Sequence, residues 1–186
     1  MNKNIEKEFK VLLTKEQFDN LYKLYPGLQA TRQVNTYYDT QDRQIQKAKG
    51  AMRIREKEDS FIFTLKMMDD HTDGLLEYEC PVTGNDVTIF EQEDIKRLLH
   101  EYHIEGNIEV LTELTTYRSV YKTEFAELCF DISHYHNQTD YEIEYEYKKD
   151  HDGLSVFQAL LDHIHVKYEH NCLSKIQRAI QATNIR

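Results

Sequence analysis

The feature that most constrains this chain is a period-two alternation of charged and apolar residues that recurs in six segments, with the sign of the charge largely set by segment. In Ile5-Glu6-Lys7-Glu8-Phe9-Lys10-Val11, residues Glu6, Glu8 and Lys10 fall on one face and Ile5, Phe9 and Val11 on the other. Period two is the spacing of a β-strand, whose successive side chains point to opposite faces. Leu76-Glu77-Tyr78-Glu79-Cys80 and Tyr141-Glu142-Ile143-Glu144-Tyr145-Glu146-Tyr147 repeat the acidic form. Ala51-Met52-Arg53-Ile54-Arg55 is a basic form, Lys66 stands opposite Phe61, Phe63 and Leu65, and a sixth, less regular segment surrounds Arg118.

A sheet of this kind must bury its apolar face under helices. Its charged face could simply meet water, and periodicity alone fits that reading best. A solvated face, however, usually mixes Lys and Glu at short range with Thr, Ser and Gln, whereas these signs are segregated by strand. Segregation suits a polyanion held together with a metal. If the sheet curls so that the charged face lines a tunnel, the basic strands can hold phosphates and the facing carboxylates can hold a bridging divalent cation.

Taken in order along the chain, Glu6-x-Glu8-x-Lys10, Arg53-x-Arg55, Lys66, Glu77-x-Glu79, Arg118 and Glu142-x-Glu144 resemble the motifs of the CYTH domain family, the triphosphate tunnel metalloenzymes. The resemblance spans nearly the whole chain. It implies an α+β, mainly antiparallel β fold, an eight-stranded antiparallel barrel or tunnel with a charged interior and helices packed on the outside, formed by residues 1–186 as one domain. It implies a divalent-metal-dependent triphosphatase acting on inorganic triphosphate or another small triphosphate-containing molecule. The alternatives are a class IV-type adenylate cyclase and a non-catalytic polyphosphate- or nucleotide-binding module. Intact carboxylate pairs count against the last, because a pure phosphate binder gains little from them.

The residue roles follow from side-chain chemistry and from that resemblance together. Arg53, Arg55 and Arg118 offer planar forks suited to phosphate oxygens, and Lys10 and Lys66 supply compact charges between them. Lys175 matches the position from which similar proteins bring a lysine on a C-terminal helix to one end of the tunnel; Lys122 is a weaker candidate. Hard cations prefer carboxylate oxygens, so Glu6, Glu8, Glu142 and Glu144 are the expected ligands of Mg2+ or Mn2+, and with Lys10 they make up the expected catalytic set. Glu77, Glu79 and Asp131 are expected to orient the basic residues or a water, and Glu146 shares the parity of Glu142, so a register shift of two would substitute it.

Net charge of −10 argues against a general nucleic-acid or anionic-membrane binder, which needs a basic surface to displace counterions. Cys80, Cys129 and Cys172 are odd in number and widely spaced, which indicates buried, reduced thiols and neither a disulfide framework nor a thiolate zinc site. With no apolar run long enough to span a bilayer, the sequence reads as a soluble cytoplasmic protein, and a homodimer is compatible with it. His134-x-His136 and His163-x-His165 have ligand-like spacing but lack partner motifs, so surface or structural roles are assigned to them. Six glycines and no Walker or dinucleotide loop leave side chains to hold the anion.

Helices are expected after the capping box Thr14-x-x-Gln17 with Phe18, Leu21, Tyr22 and Tyr25; after Thr88-x-x-Glu91 with Ile95, Leu98, Leu99 and Tyr102; over Leu154, Phe157, Leu161 and Ile164; and after Ser174-x-x-Gln177 with Ile176 and Ile180. Strands are expected over Ile5–Val11, Val34–Thr40, around Arg53, up to Lys66, from Leu75, over Val110–Lys122 and Glu127–His136, and over Tyr141–Tyr147. The Asp69–Gly74 segment is read as a hairpin turn, and Asn137–Asp140 as another.

Overall fold

A computed structural model describes residues 1–68 and 75–183. The strands are β1 (Asn2–Glu6), β2 (Glu8–Leu13), β3 (Thr31–Thr40), β4 (Ala51–Lys57), β5 (Ser60–Met68), β6 (Leu75–Val82), β7 (Ile108–Lys122), β8 (Ala126–Tyr135) and β9 (Gln138–Tyr147). They form one antiparallel sheet in the order β1-β6-β5-β4-β3-β7-β8-β9-β2. The two ends of that order, β1 and β2, are consecutive in the chain, so the sheet curls until its edges meet at Lys7. There Tyr147 N–H donates to the Lys7 carbonyl at 3.0 Å.

Eight strands were expected and nine are found, because the first is two. A single run of backbone carries hydrogen-bonding groups on both edges. Before Lys7 it pairs with β6, Glu6 opposite Leu75, and after Lys7 it pairs with β9, Glu8 opposite Glu146. The Asp69–Gly74 turn expected between β5 and β6 lies outside the described residues, although those strands pair as a hairpin would, Lys66 opposite Glu77. The turn before β9 is shorter than expected. His136 takes a positive φ of 50° and β9 already begins at Gln138.

Outside the curl, alternation works as the sequence predicts, with one apolar layer on each flank. Met52, Ile54, Phe63 and Leu65 of β4 and β5 bury against α3 (Glu93–Glu101) through Ile95, Leu98 and Leu99. Val11, Leu13, Phe130, Ile143 and Tyr145 bury against α1 (Lys15–Tyr22) through Phe18 and Leu21, and against α4 (Gly153–Asp162) through Phe157 and Leu161. Two apolar expectations fail. Ile5 is 59% exposed, since among the described residues no helix covers β1, and Leu154 in the first turn of α4 is also exposed.

Thr14 and Gln17 form the expected reciprocal cap of α1. The capping box expected at Thr88 does not form: Asp86 instead accepts from Thr88 N–H and starts a short 3-10 turn, Val87–Glu91, and α3 begins after it. A four-residue helix absent from the sequence reading, α2 (Gln44–Lys47), is fixed by the buried Asp39 carboxylate, which accepts from Ile45 N–H and Gln46 N–H, both at 3.0 Å. After it the chain turns at Gly50, where an added Cβ would lie 2.7 Å from the Lys66 carbonyl oxygen and 2.6 Å from Met67 Sδ. One of those atoms is backbone and cannot swing away. Gly50→Ala should therefore destabilise by about 1–3 kcal/mol, the usual overpacking range, read as a lower urea midpoint at unchanged m-value.

The remaining helix, α5 (Lys175–Thr183), departs from the expected arrangement of helices on the outside. Its Ile176 and Ala179 pack on Tyr37, Leu114 and Tyr135, with Ile180 beside them. By strand parity those three residues share the inner face with Arg53, Arg118 and Asp131. This helix therefore seats on one end of the inner face. Among the described residues no helix is long and apolar enough to cross a membrane.

Candidate functional site

Every strand sends at least one side chain into a central cavity of about 750 Å³. Glu6, Glu8, Lys10, Arg53, Arg55, Lys66, Glu77, Glu79, Arg118, Glu144, Glu146 and Lys175 all line it. Strand parity places all but Lys175 there, as in Glu8 and Lys10 of β2, Arg53 and Arg55 of β4, Glu77 and Glu79 of β6 and Glu144 and Glu146 of β9, each pair two residues apart; Lys175 enters from α5.

The charges gather into three groups. In the first, Lys66 pairs with Glu6 and, at 3.2 Å, with Glu77, whose carboxylate also stands 4.0 Å from Arg53 Nη2. Burial works against the charged form of Glu6, but Lys66 and Arg53 outweigh it and hold the carboxyl below its ordinary value. Glu79 accepts from the Thr64 hydroxyl at 3.1 Å. In the second group Lys10 pairs with Glu8. Burial and the nearby Glu144 charge push Glu8 above the ordinary carboxylate value despite Lys10. Lys10 itself is pushed up by Glu8 and Glu144 against the effect of its burial.

The third group is the most buried. Asp131, Glu142 and Glu144 each offer an oxygen within 4.8 Å of the others, and Asp131 is 0% exposed. Arg118 grips Asp131 through Nε at 2.8 Å and Nη2 at 2.5 Å and also reaches Glu144. The Lys175 ammonium stands among all three carboxylates, 2.8 Å from Asp131, 2.5 Å from Glu144 and in contact with Glu142. Burial alone would raise Glu144, yet Arg118 and Lys175 hold it well below the ordinary carboxylate range. Burial and the Glu144 charge push Glu142 the other way. Three buried hard-oxygen donors converging on one small cation fit a divalent metal. Glu6 and Glu8, expected as ligands alongside Glu142 and Glu144, stand outside this trio, each beside its own lysine; Asp131, expected only to orient neighbours, stands within it. Glu146 lines the cavity and pairs with Lys148 at 2.6 Å. Lys122 pairs with Glu127 at 2.8 Å, its side chain largely in solvent.

Arg55 differs from Lys10, Arg53, Lys66, Arg118 and Lys175, each of which has a carboxylate partner. It is half-buried, its Nε donates to Asn35 Oδ1 at 2.9 Å, and among the described residues no carboxylate pairs with it. Burial, followed by the repulsion of Arg53 and Arg118, pushes its guanidinium down to about 9. A guanidinium resists losing its proton, so that penalty amounts to an unmet demand for an anion. Arg53 Nε is likewise buried without a hydrogen-bond partner.

Sequence reading missed Arg178, which is almost fully buried and pairs with Asp140 at 2.7 Å and Glu142 at 2.6 Å. The available signal was its position three residues after Lys175, on the same face of a helix with an otherwise apolar stripe. It also missed residues 171 and 172, which occupy the second edge of β2: Asn171 Oδ1 accepts from Lys10 N–H at 2.7 Å, and Cys172 N–H donates to the Lys10 carbonyl at 3.2 Å. Of the cysteines only Cys129 is buried; Cys80 and Cys172 are half-buried, and all three are free.

The CYTH domain family model matches residues 4–180. YjbK of Bacillus subtilis (strain 168), provisionally named a triphosphatase, is 35% identical over 170 residues, covering 87% of each chain. A Bacillus halodurans protein provisionally named an adenylate cyclase has a crystal structure that superposes with a TM-score of 0.82 at 32% identity, over 96% of this chain and 98% of that one. Hippeastrum HpAC1, a proposed adenylyl cyclase described as having a dominant triphosphatase activity, matches with a TM-score of 0.78 over 95% and 96% of the two chains; at 22% identity that likeness is one of fold.

Proposed function

Because the chain belongs to the CYTH domain family, we propose that it is a triphosphatase, a phosphoanhydride hydrolase that takes small triphosphate-containing molecules into its tunnel with Mg2+ or Mn2+, as a single cytoplasmic tunnel domain. The observation that carries this reading is Arg55, a half-buried cation with no carboxylate partner among the described residues, on the strand that also carries Arg53, in a tunnel that holds a buried carboxylate trio. A site that merely neutralised itself would not leave that charge open. The triphosphatase name of the 35%-identical B. subtilis relative supports it.

In this reading Arg53, Arg55 and Arg118 bind the phosphate oxygens, and Lys10 and Lys66 sit between phosphoryl groups as point charges. Asp131, Glu142 and Glu144 would hold the metal, with Glu8 on the adjoining β2 and Glu6 on β1 as further carboxylates. A divalent ion bound there supplies Lewis-acid polarisation of a phosphoryl oxygen and lowers the pKa of a bound water. Glu8, already raised by burial and by Glu144, is suited to accept the proton of the attacking water, since a base of raised pKa takes a proton near neutrality more readily. Glu77 and Glu79 orient Lys66 and Thr64. Hydrolysis needs in-line approach of water to a fixed phosphorus, which the rigid strand positions provide.

The test is to incubate the purified protein with inorganic triphosphate, thiamine triphosphate, ATP and longer polyphosphates, each with Mg2+ or Mn2+, and to separate the products by chromatography with mass detection. Orthophosphate release that stops on adding chelator is expected. Cyclic AMP with pyrophosphate would instead establish the cyclase reading suggested by the name of the 32%-identical B. halodurans protein, and undiminished turnover in chelator would refute the carboxylate assignment.

A further inference from the structure

Glu142 is the only member of the buried trio held by two cations of the same helix, one at each oxygen. Lys175 Nζ contacts Oε1, and Arg178 Nη1 lies 2.6 Å from Oε2. The two cations differ in what else holds them. Lys175 shares its charge among all three carboxylates of the trio. Arg178 is anchored outside the trio: its Nε donates to Asp140 Oδ2 at 2.7 Å and its Nη1 donates to the Leu173 carbonyl. It is 8% exposed, and its Nη2 is buried with no hydrogen-bond partner among the described residues. Burying a guanidinium with an unused donor is costly, so satisfying its own hydrogen bonds is not a sufficient account of its placement.

We propose that Arg178 is a positioning residue for the metal site: it fixes Oε2 of Glu142 so that Oε1 stays turned toward Asp131 and Glu144. This rests on the assignment of a metal to that trio. The physical reason is that a free glutamate has three side-chain torsions and would point elsewhere much of the time. An outer hydrogen bond to the second carboxylate oxygen removes that freedom, and loss of such outer partners typically weakens metal binding about 10- to 100-fold. Because Arg178 lies on α5, its hold on Glu142 exists only while that helix is seated on Tyr37, Leu114 and Tyr135.

Mn2+ titrations of the full chain without substrate, followed by calorimetry and by the electron paramagnetic resonance of free Mn2+, test this directly. Arg178→Ala should weaken Mn2+ binding by about 10- to 100-fold, and Arg178→Lys should recover part of that loss. Both should keep the parent's affinity for triphosphate measured in chelator. Asp140→Asn, which loosens the anchor of α5 while leaving the Glu142 contact, covers the case in which Arg178→Ala fails to fold, and should weaken Mn2+ binding less than Arg178→Ala does. Parent-like Mn2+ affinity in Arg178→Ala overturns the proposal. Equal losses in Arg178→Ala and Asp140→Asn also overturn it, by showing that seating the helix is all Arg178 does. If Glu142→Gln binds Mn2+ as the parent does, the metal assignment is what fails, and the positioning role fails with it.

Discussion

Arg55→Met should melt at a higher temperature than the parent without ligand, and should bind triphosphate about a hundredfold more weakly. The two effects have one cause. Arg55 is half-buried near Arg53 and Arg118 with Asn35 as its hydrogen-bond partner and, among the described residues, no carboxylate, so the empty protein carries a poorly compensated charge. Replacing buried ion pairs by apolar side chains of similar size is neutral or stabilises by about 1–4 kcal/mol; for one half-buried, poorly compensated cation the gain falls at the low end, about 1–2 kcal/mol, less part of about 1 kcal/mol for the orphaned Asn35 oxygen. In the complex the same guanidinium makes charge-assisted bonds to phosphate worth about 1.5–3 kcal/mol each, and at roughly 1.4 kcal/mol per decade one bidentate contact accounts for the loss of affinity. Scanning calorimetry and titration with inorganic triphosphate in chelator read the two quantities separately. A variant that melts lower and binds unchanged would make Arg55 a structural residue.

Arg118→Met should act in the opposite direction and more strongly. Arg118 makes two hydrogen bonds to Asp131, which is wholly buried, and one to Glu144, so its removal leaves Lys175 as the remaining ion-pair partner of both carboxylates among the described residues. Breaking one side of a buried ion pair costs about 3–5 kcal/mol. For a chain of this length that corresponds to a fall in melting temperature of roughly 6–20 °C. Part of the loss should return on adding Mn2+, whose charge can replace the missing guanidinium beside Asp131 and Glu144. A melting temperature within a degree of the parent would show that Lys175 suffices to neutralise the trio.

The contrast between these arginines marks where sequence reading stops. Alternation placed both on the inner face, because parity is fixed by the pleat and needs no knowledge of neighbours. It could not distinguish them, since the difference lies across strands: Arg118 stands opposite Asp131 on β8, while Arg55 stands between Asn35 and Ile62. The same limit explains Asp131. Its charge was evident, but its membership of the trio depends on facing Glu142 in the β8–β9 register. The seat of α5 was hidden for a different reason. An apolar stripe of Ile176, Ala179 and Ile180 specifies that a helix is covered, not by which face of a sheet, and here it is the inner one. The break at Lys7 was equally hidden, because Glu6, Glu8 and Lys10 keep the same parity on both sides of it.

That break also determines when the tunnel can exist. During synthesis the first strand pair emerges from the ribosome before either of its partners: β1 must wait for β6, and β2 must wait for β9, whose pairing residues run as far as Glu146. Until then the central strands can assemble only as an open sheet, with its inner charges in water and both lateral edges unpaired. Contacts this distant in sequence form late and slowly, and exposed edges are the places where nascent chains associate with one another. The residues that close the curl carry Glu6, Glu8 and Lys10, so the last step of folding is also the step that creates the binding site. A partly folded chain thus has no enclosed site in which to trap cellular polyanions.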